Sequence, residues 1–355
     1  MTLRLVDPLT DQQLNKVYSD ILSPLAWDLG HIGNFEELWL VQTIGKREPM
    51  EGDLGRFYDA IENPRATRNE LPILRGDKLR SYMAEVRERA LEVLEEVELE
   101  DTGDRLLRDG FVYELILAHE HQHNETMLQL LQMVEGYEPV DRTAIPTPHP
   151  VRGQTPHTVL IDGGEYEIGA GPEGFAYDNE RPRHTVEVAP FEIDVTPVTN
   201  AEWITFMEDT DAPPPLYWER DGQGEWMRSA MGERHEVDPA HPVIHVDHAA
   251  AKAFGVWAGK RLPTEFEWEA AAQAGALEMV GEVWEWTSSD FEPYPGFEAF
   301  PYDEYSKVFF GPGHKVLRGG SWATHRSVIR RSFRNWDLPE RRQIFSGLRC
   351  ARDVR

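Results

Sequence analysis

Cysteine occurs once in the 355 residues, at Cys350, so no internal disulfide can form. A lone thiol accords with a reducing cytoplasm. Lysine is nearly as scarce, with 7 beside 29 arginines, and these 36 bases face 63 acids for a formal net charge of −27. A chain without a basic excess is not a general nucleic-acid binder, because phosphate recognition needs a basic patch that releases counterions. It is equally unsuited to an anionic membrane surface. No run of 18 or more apolar residues exists, so no transmembrane helix is expected. The opening MTLRLVDPLTDQQ has no apolar signal core. The acid excess is even: residues 1–150 hold 29 acids and 15 bases (−14), and the remainder 34 and 21 (−13). It belongs to the whole surface and not to a tail. Such a surface suits a salty medium, where screening relieves self-repulsion.

What is present suffices for real cores: 40% hydrophobic residues and 11 Trp, in a length that suggests about two domains. Residues 1–137 carry helical periodicity. Ser23-Pro24 reads as an N-cap followed by proline at the first helical position, opening a helix to about Ile44. Asp77 starts another, with Leu79, Met83, Val86, Ala90, Val93 and Val97 on one stripe. A third runs from near Asp109 to Gly136, a candidate C′ glycine. A shorter helix around 10–20 completes an expected four-helix bundle. Residues 138–157 hold five prolines and read as a linker. From 158 to 355, short β-type runs alternate with Gly/Pro turns, and helices are expected near 200–208, 247–258 and 264–274. This half reads as an α+β domain with much irregular backbone.

The third helix contains LAHEHQHNETML. His119 and His123 lie four apart, so their imidazoles project from one face, one turn apart, which suits two ligands on one metal. The string also satisfies H-E-x-x-H, with Glu120 as the base of a zinc peptidase. The longer metzincin pattern needs a histidine where Gln129 stands. A third imidazole lies upstream: His31, in the middle of PLAWDLGHIGNFEELWL. Three neutral imidazoles from two bundle helices leave several coordination positions open, and such a set suits iron, zinc or copper alike.

These segments, together with GGEYEIG, NERPRHTVEV, PVTNAEW, GKRLPTEFEWEAAA, GEVWEWTSSDF, LRGGSW and GLRCARD, resemble the iron-dependent sulfoxide synthases of ergothioneine biosynthesis. That family joins a DinB-like four-helix bundle to a domain like the formylglycine-generating enzymes, with a C-type-lectin-like α+β fold. The resemblance implies Fe(II) held by His31, His119 and His123. It implies O2-dependent C–S bond formation between hercynine (Nα-trimethylhistidine) and γ-glutamylcysteine. Gln122, Asn335 and Trp336 are then contacts to hercynine, whose quaternary ammonium an aromatic face attracts. Asp337 and Arg341 are contacts to the amino-acid end of the thiol substrate, ammonium to carboxylate and carboxylate to guanidinium. NPRATRNELP supplies a further arginine, Arg65 or Arg68. Tyr302 aligns with the family's proton donor, with Tyr305 beside it and Tyr294 as an alternative.

Two departures stand out. Formylglycine generation needs cysteines in the segment here written GGSWATHRSVIRRSFR, which has none, so that chemistry is excluded and Cys350 reads as a buried structural thiol. The stretch between EWEAAAQAGA and LEMVGEVWEW is also much shorter than the family pattern. The same fold serves rivals that take cysteine or a selenosugar as donor, or histidine as acceptor. A zinc peptidase and a non-enzymatic binding module are alternatives from other classes. The expected protein is a cytoplasmic monomer acting on small molecules, with a negative surface and a local cationic pocket.

Overall fold

The computed structural model describes residues 1–99, 103–139, 149–151 and 158–354. Most of the expected linker, residues 140–148 and 152–157, lies outside the described residues. The chain divides into two compact units, Met1–Ile145 with Met231–Glu233, and Pro146–Ala230 with Arg234–Arg355.

The first unit is helical. Two short helices, α1 (Thr2–Val6) and α2 (Asp11–Asn15), precede α3 (Leu25–Glu36), which runs on as a π-helical segment, Glu37–Ile44. Then come α4 (Leu54–Tyr58), a 3-10 turn at Arg65–Glu70, α5 (Gly76–Glu96) and α6 (Phe111–Leu131). In α3 every residue but Asn34 is buried, as expected of a helix packed on all sides. The α5 helix is amphipathic instead. Leu79, Tyr82, Val86, Ala90 and Val93 form its buried stripe, with Tyr82 taking the place expected for Met83. The helix expected over 10–20 is a single turn, opened by a Thr10–Gln13 capping box and ended at an extended Lys16. Beyond it Val17 is exposed, so there is no apolar face to extend the turn. The bundle is therefore three long helices braced by short ones.

The second unit holds twelve short strands and three helices among the described residues, counting β7, whose first residue falls in the other unit. Strands β1 (Thr158–Ile161), β2 (Gly164–Ile168), β3 (His184–Val188) and β4 (Phe191–Asp194) precede α7 (Asn200–Thr210). Strands β5 (Trp218–Arg220), β6 (Trp226–Ala230) and β7 (Glu233–Glu236) follow, then α8 (His248–Trp257) and α9 (Glu265–Gln273). The chain ends with β8 (Trp284–Phe291), β9 (Gly311–Arg318), β10 (Asn335–Asp337), β11 (Ser346–Leu348) and β12 (Ala351–Asp353). The strands form sheets of order β1-β4-β12, β10-β9-β8-β11, β5-β6-β7 and the pair β2-β3. Each helix opens on a side-chain cap: Thr199, Asp247 and Thr264 accept from backbone N–H groups three residues on, and Glu202 and Glu267 complete capping boxes. These are the cues that make the three helices predictable.

The shortened stretch after α9 closes compactly. Ala276 and Leu277 pack on the cluster of Ile161, Val188, Phe191, Ile193, Ala271 and Ala351. The Glu278 N–H donates to the Val195 carbonyl at 2.8 Å, and Met279 and Gly281 turn the chain at φ 60° and 98°.

The core of this unit is partly ionic. Arg318, Arg334 and Arg349 are all 0% exposed. Arg349 grips Glu285 with two nitrogens at 2.9 and 2.8 Å, and Arg334 grips Glu265 at 2.7 and 2.9 Å. Arg318 donates to Glu269 at 2.6 Å. The Trp268 indole N–H also donates to Glu285, at 2.7 Å. Such pairs hold only while both partners are present, because a lone buried charge is uncompensated. Arg349→Met should therefore destabilise the protein by about 3–5 kcal/mol, measured by denaturant unfolding. Pairing it with Glu285→Leu should recover much of that loss. Equal stability of Arg349→Met and wild type would contradict the ionic-core reading.

Candidate metal centre

His31 sits on α3, and His119 and His123 on α6. One ligand nitrogen from each lies within 4.8 Å of the others. His31 and His119 are buried, and His123 is partly so. The Nε2 atoms of His31 and His119 stand 3.1 Å apart. Two nitrogens each about 2.1 Å from one metal, at right angles, would be about 3 Å apart, so the spacing fits shared coordination. Burial, reinforced by the neighbouring imidazoles, pushes His31 and His119 well below the ordinary histidine range. They are held neutral, the form that binds a metal. The donor set thus fits a bound metal ion.

The surroundings orient the rings. His31 donates its Nδ1–H to the Tyr58 carbonyl at 2.7 Å, which leaves the Nε2 lone pair facing inward. Its ring stacks on Trp27 at 4.8 Å, and His119 stacks on Phe35 at 3.8 Å. Gly30 explains how Tyr58 comes so close, because a Cβ there would lie 2.2 Å from the Tyr58 ring. The Trp27 indole N–H ties to the Phe57 carbonyl at 2.9 Å, so residues 57–58 are anchored to α3 at two points.

Glu120, the base of the peptidase reading, is engaged elsewhere. It accepts from the Thr2 hydroxyl and pairs with Arg87 at 3.3 Å. His121 does not join the triad, and Gln122 lies between His119 and His123 on α6 and is partly exposed.

The two candidate arginines differ. Arg68 is buried under Trp27, its guanidinium 3.6 Å from the ring centroid. It donates to the Asn63 carbonyl, the Ser23 hydroxyl and the Ala60 carbonyl at 2.9, 2.6 and 2.9 Å. Arg65 is exposed, and among the described residues its guanidinium donates to the Ile21 carbonyl at 3.0 Å. Arg68 is thus committed to holding the 60–68 turn, and Arg65 is the arginine with donors to offer a carboxylate.

In the second unit, Tyr302, Tyr305, Asn335, Trp336, Asp337 and Arg341 fall into neighbouring groups. Tyr305 stacks on Tyr177 at 4.0 Å, meets Tyr302 edge-on at 6.4 Å and Trp336 edge-on at 5.5 Å. Trp336 also stacks on Phe291 at 4.2 Å. Arg341 faces Asp337 at 3.4 Å, one helical turn away in sequence. Asn335 accepts from the Trp336 N–H through its own side chain at 3.0 Å. Burial, with Tyr177, Asp178 and Glu304 nearby, pushes the Tyr302 phenol well above the usual tyrosine range, so it keeps its proton. Tyr294 is different: it is buried with its hydroxyl on Glu265 at 3.2 Å and Arg334 over its ring at 4.1 Å. It belongs to the ionic core.

Asp178, absent from the sequence-based expectations, anchors both ends of the tyrosine loop. It accepts from the Ser306 hydroxyl, from the Phe300 N–H at 3.4 Å and from the Asn179 N–H at 2.7 Å. Its only sequence signal is its place immediately before NERPRHTVEV, as the first residue of a DNE turn.

Two family models match the chain: the DinB superfamily over residues 1–127, and a Sulfatase-modifying factor enzyme 1-like domain over residues 143–278 and 273–354. A helical DinB-type unit bearing a histidine triad, followed by an α+β unit of the sulfatase-modifying type, is thus the class defined by fold and site. Over 99% of its length this chain is 38% identical to the hercynine oxygenase of Mycolicibacterium smegmatis, covering 96% of that protein. It is 39% identical to the hercynine oxygenase of Mycolicibacterium thermoresistibile, covering 92% of it. To the formylglycine-generating enzyme of Streptomyces coelicolor it is 30% identical, over 58% of this chain and 91% of that one. The chain belongs to the hercynine oxygenase family.

Burial raises the Asp178 carboxyl from 3.8 to about 6. A carboxyl raised on folding favours the folded state below its unfolded pKa, and that stability is lost as pH rises through the folded value. The wild type should therefore lose on the order of 2 kcal/mol between about pH 4 and 6 that Asp178→Asn does not lose. Urea unfolding of both proteins across that window measures it, and parallel curves would contradict it.

Proposed function

We propose that this protein is a hercynine oxygenase that joins hercynine to γ-glutamylcysteine in ergothioneine biosynthesis, giving the sulfoxide conjugate. Full-length membership of the hercynine oxygenase family carries the reading. The convergent imidazoles of His31, His119 and His123 give it a metal centre. The metal is Fe(II), which supplies when bound a redox centre and a template for O2 and thiolate. The electron count closes without another reductant. Making the C–S bond removes two electrons and oxygenating sulfur removes two more. O2 takes up all four, one oxygen ending in the sulfoxide and the other in water.

The chain's own residues bind, orient and hold a proton. Trp336, within the cluster of Phe291 and Tyr305, offers an aromatic face to the trimethylammonium of hercynine. Gln122 and Asn335 supply polar contacts to the same substrate. Asp337 and Arg341 already face each other at 3.4 Å, so an amino-acid zwitterion can exchange that mutual pairing for an ammonium on Asp337 and a carboxylate on Arg341. Arg65 is the further carboxylate contact. Tyr302, protonated and set beside Tyr305, is the proton donor that directs the reaction to the sulfoxide and away from simple thiol oxygenation. Among the described residues no helix is long and apolar enough to cross a membrane, and we place the protein in the cytoplasm as a monomer.

Oxygen uptake with Fe(II), hercynine and either γ-glutamylcysteine or cysteine, read by product mass, tests the reading. The γ-glutamyl sulfoxide is the expected major product. Tyr302→Phe should lose the conjugate and accumulate the thiol's sulfinic acid, whereas Arg341→Ala should mainly raise KM for the thiol. Hydrolysis of a peptide without O2 uptake would overturn the proposal. A wild-type product ratio from Tyr302→Phe would overturn the tyrosine assignment.

A further inference from the structure

Asp28 is a carboxylate on α3, 1% exposed; the helix's other buried acid, Glu36, is paired with Arg87 at 3.0 Å. It lies three residues before His31 and therefore on the same helical face. Its Oδ1 is 3.6 Å from His123 Nδ1, while its Oδ2 and His123 Nδ1 have no hydrogen-bond partner among the described residues. Arg68 feels its charge, but Arg68 spends its donors on Asn63, Ser23 and Ala60. A buried anion with an unpartnered oxygen is costly and calls for a reason. Its place in the first turn of α3 offers partial compensation from the helix dipole, yet a helix terminus alone does not require the acid to be buried against an imidazole.

We infer that Asp28 is the positioning residue for His123, accepting its Nδ1–H so that Nε2 is the nitrogen offered to the metal. The observed 3.6 Å is a few tenths of an ångström beyond hydrogen-bond range, a gap that a small ring rotation closes. The triad then has two kinds of support: a neutral carbonyl, from Tyr58, behind His31, and an anion behind His123. A carboxylate behind a ligating imidazole fixes its tautomer and raises its basicity, and losing one typically costs about 10–100-fold in metal affinity. His123 thereby becomes the strongest donor of the three. The inference rests on the metal-centre reading above and adds a role for a residue that touches neither metal nor substrate.

The test is Fe(II) affinity of the full-length protein by anaerobic chelator competition, for wild type, Asp28→Asn and Asp28→Ala, beside unfolding of each in metal-free buffer. Asn keeps the shape and a carbonyl acceptor but removes the charge. The expected result is a loss in affinity of about 10-fold or more for Asn and more for Ala, with metal-free stability of Asp28→Asn equal to or above wild type. A shifted spectrum of the Fe(II)–nitric oxide adduct should accompany the loss. Wild-type affinity and spectrum in Asp28→Asn would overturn the inference, as would affinity falling only in step with metal-free stability. If wild type itself bound no Fe(II), the metal-centre reading would fail, which is a separate outcome.

Discussion

The hydrogen bond from His31 Nδ1–H to the Tyr58 carbonyl, 2.7 Å long, is the constraint around which the helical unit is arranged. It decides which nitrogen of His31 faces the triad. It also requires the chain at residue 58 to lie against α3, and that approach is possible only because Gly30 has no side chain. Trp27 and Arg68 fill in behind: the indole stacks on His31, and the guanidinium covers the indole and ties down the 60–68 turn. A sequence as short as WDLGH therefore encodes an imidazole of the triad, the space its orienting carbonyl needs and the ring that stacks on it. The triad is held by rigid helices, as a site that must hold its geometry needs.

The second unit solves a different problem. Its strands are short and its backbone irregular, so regular hydrogen bonding alone does not define its shape. Buried Arg–Glu pairs do much of that work, with Arg318, Arg334 and Arg349 reaching Glu265, Glu269 and Glu285 from distant parts of the chain. On this scaffold the tyrosine loop is anchored by Asp178 and the RNWD strand is paired to β9.

This separation explains what was legible in the sequence. Helices α7, α8 and α9 were readable because their caps are local chemistry. The triad was readable because i, i+4 histidines on a helix have few other uses and a third imidazole, His31, stands on another bundle helix; the family resemblance then implied that all three share one iron. The segments that carry that resemblance, such as GEVWEW, LRGGSW and GLRC, turn out to hold Glu285, Arg318 and Arg349, which are buried frame residues and not reacting groups. The remainder was illegible for physical reasons. A backbone carbonyl such as that of Tyr58 has no side-chain signature. The difference between Arg65 and Arg68 depends on which one a neighbouring Trp buries. The one-turn α2 looked longer because periodicity continues past the point where there is a surface to pack against. Asp28 did leave a trace, an acid one turn before His31 in a largely buried helix, which registers as a site only when His123 is found beside it.

The negative charge of the chain is spread evenly along it, while the groups assigned to substrate are a few placed arginines and aromatics. Everything assigned to the reaction depends on the three imidazoles acting as one ligand set. The most direct measurement is anaerobic Fe(II) titration of wild type and of His31→Ala, His119→Ala and His123→Ala, with circular dichroism confirming the fold of each. The account predicts one tightly bound ion per chain in wild type and loss of tight binding in all three variants. A folded variant that binds Fe(II) as tightly as wild type would contradict it.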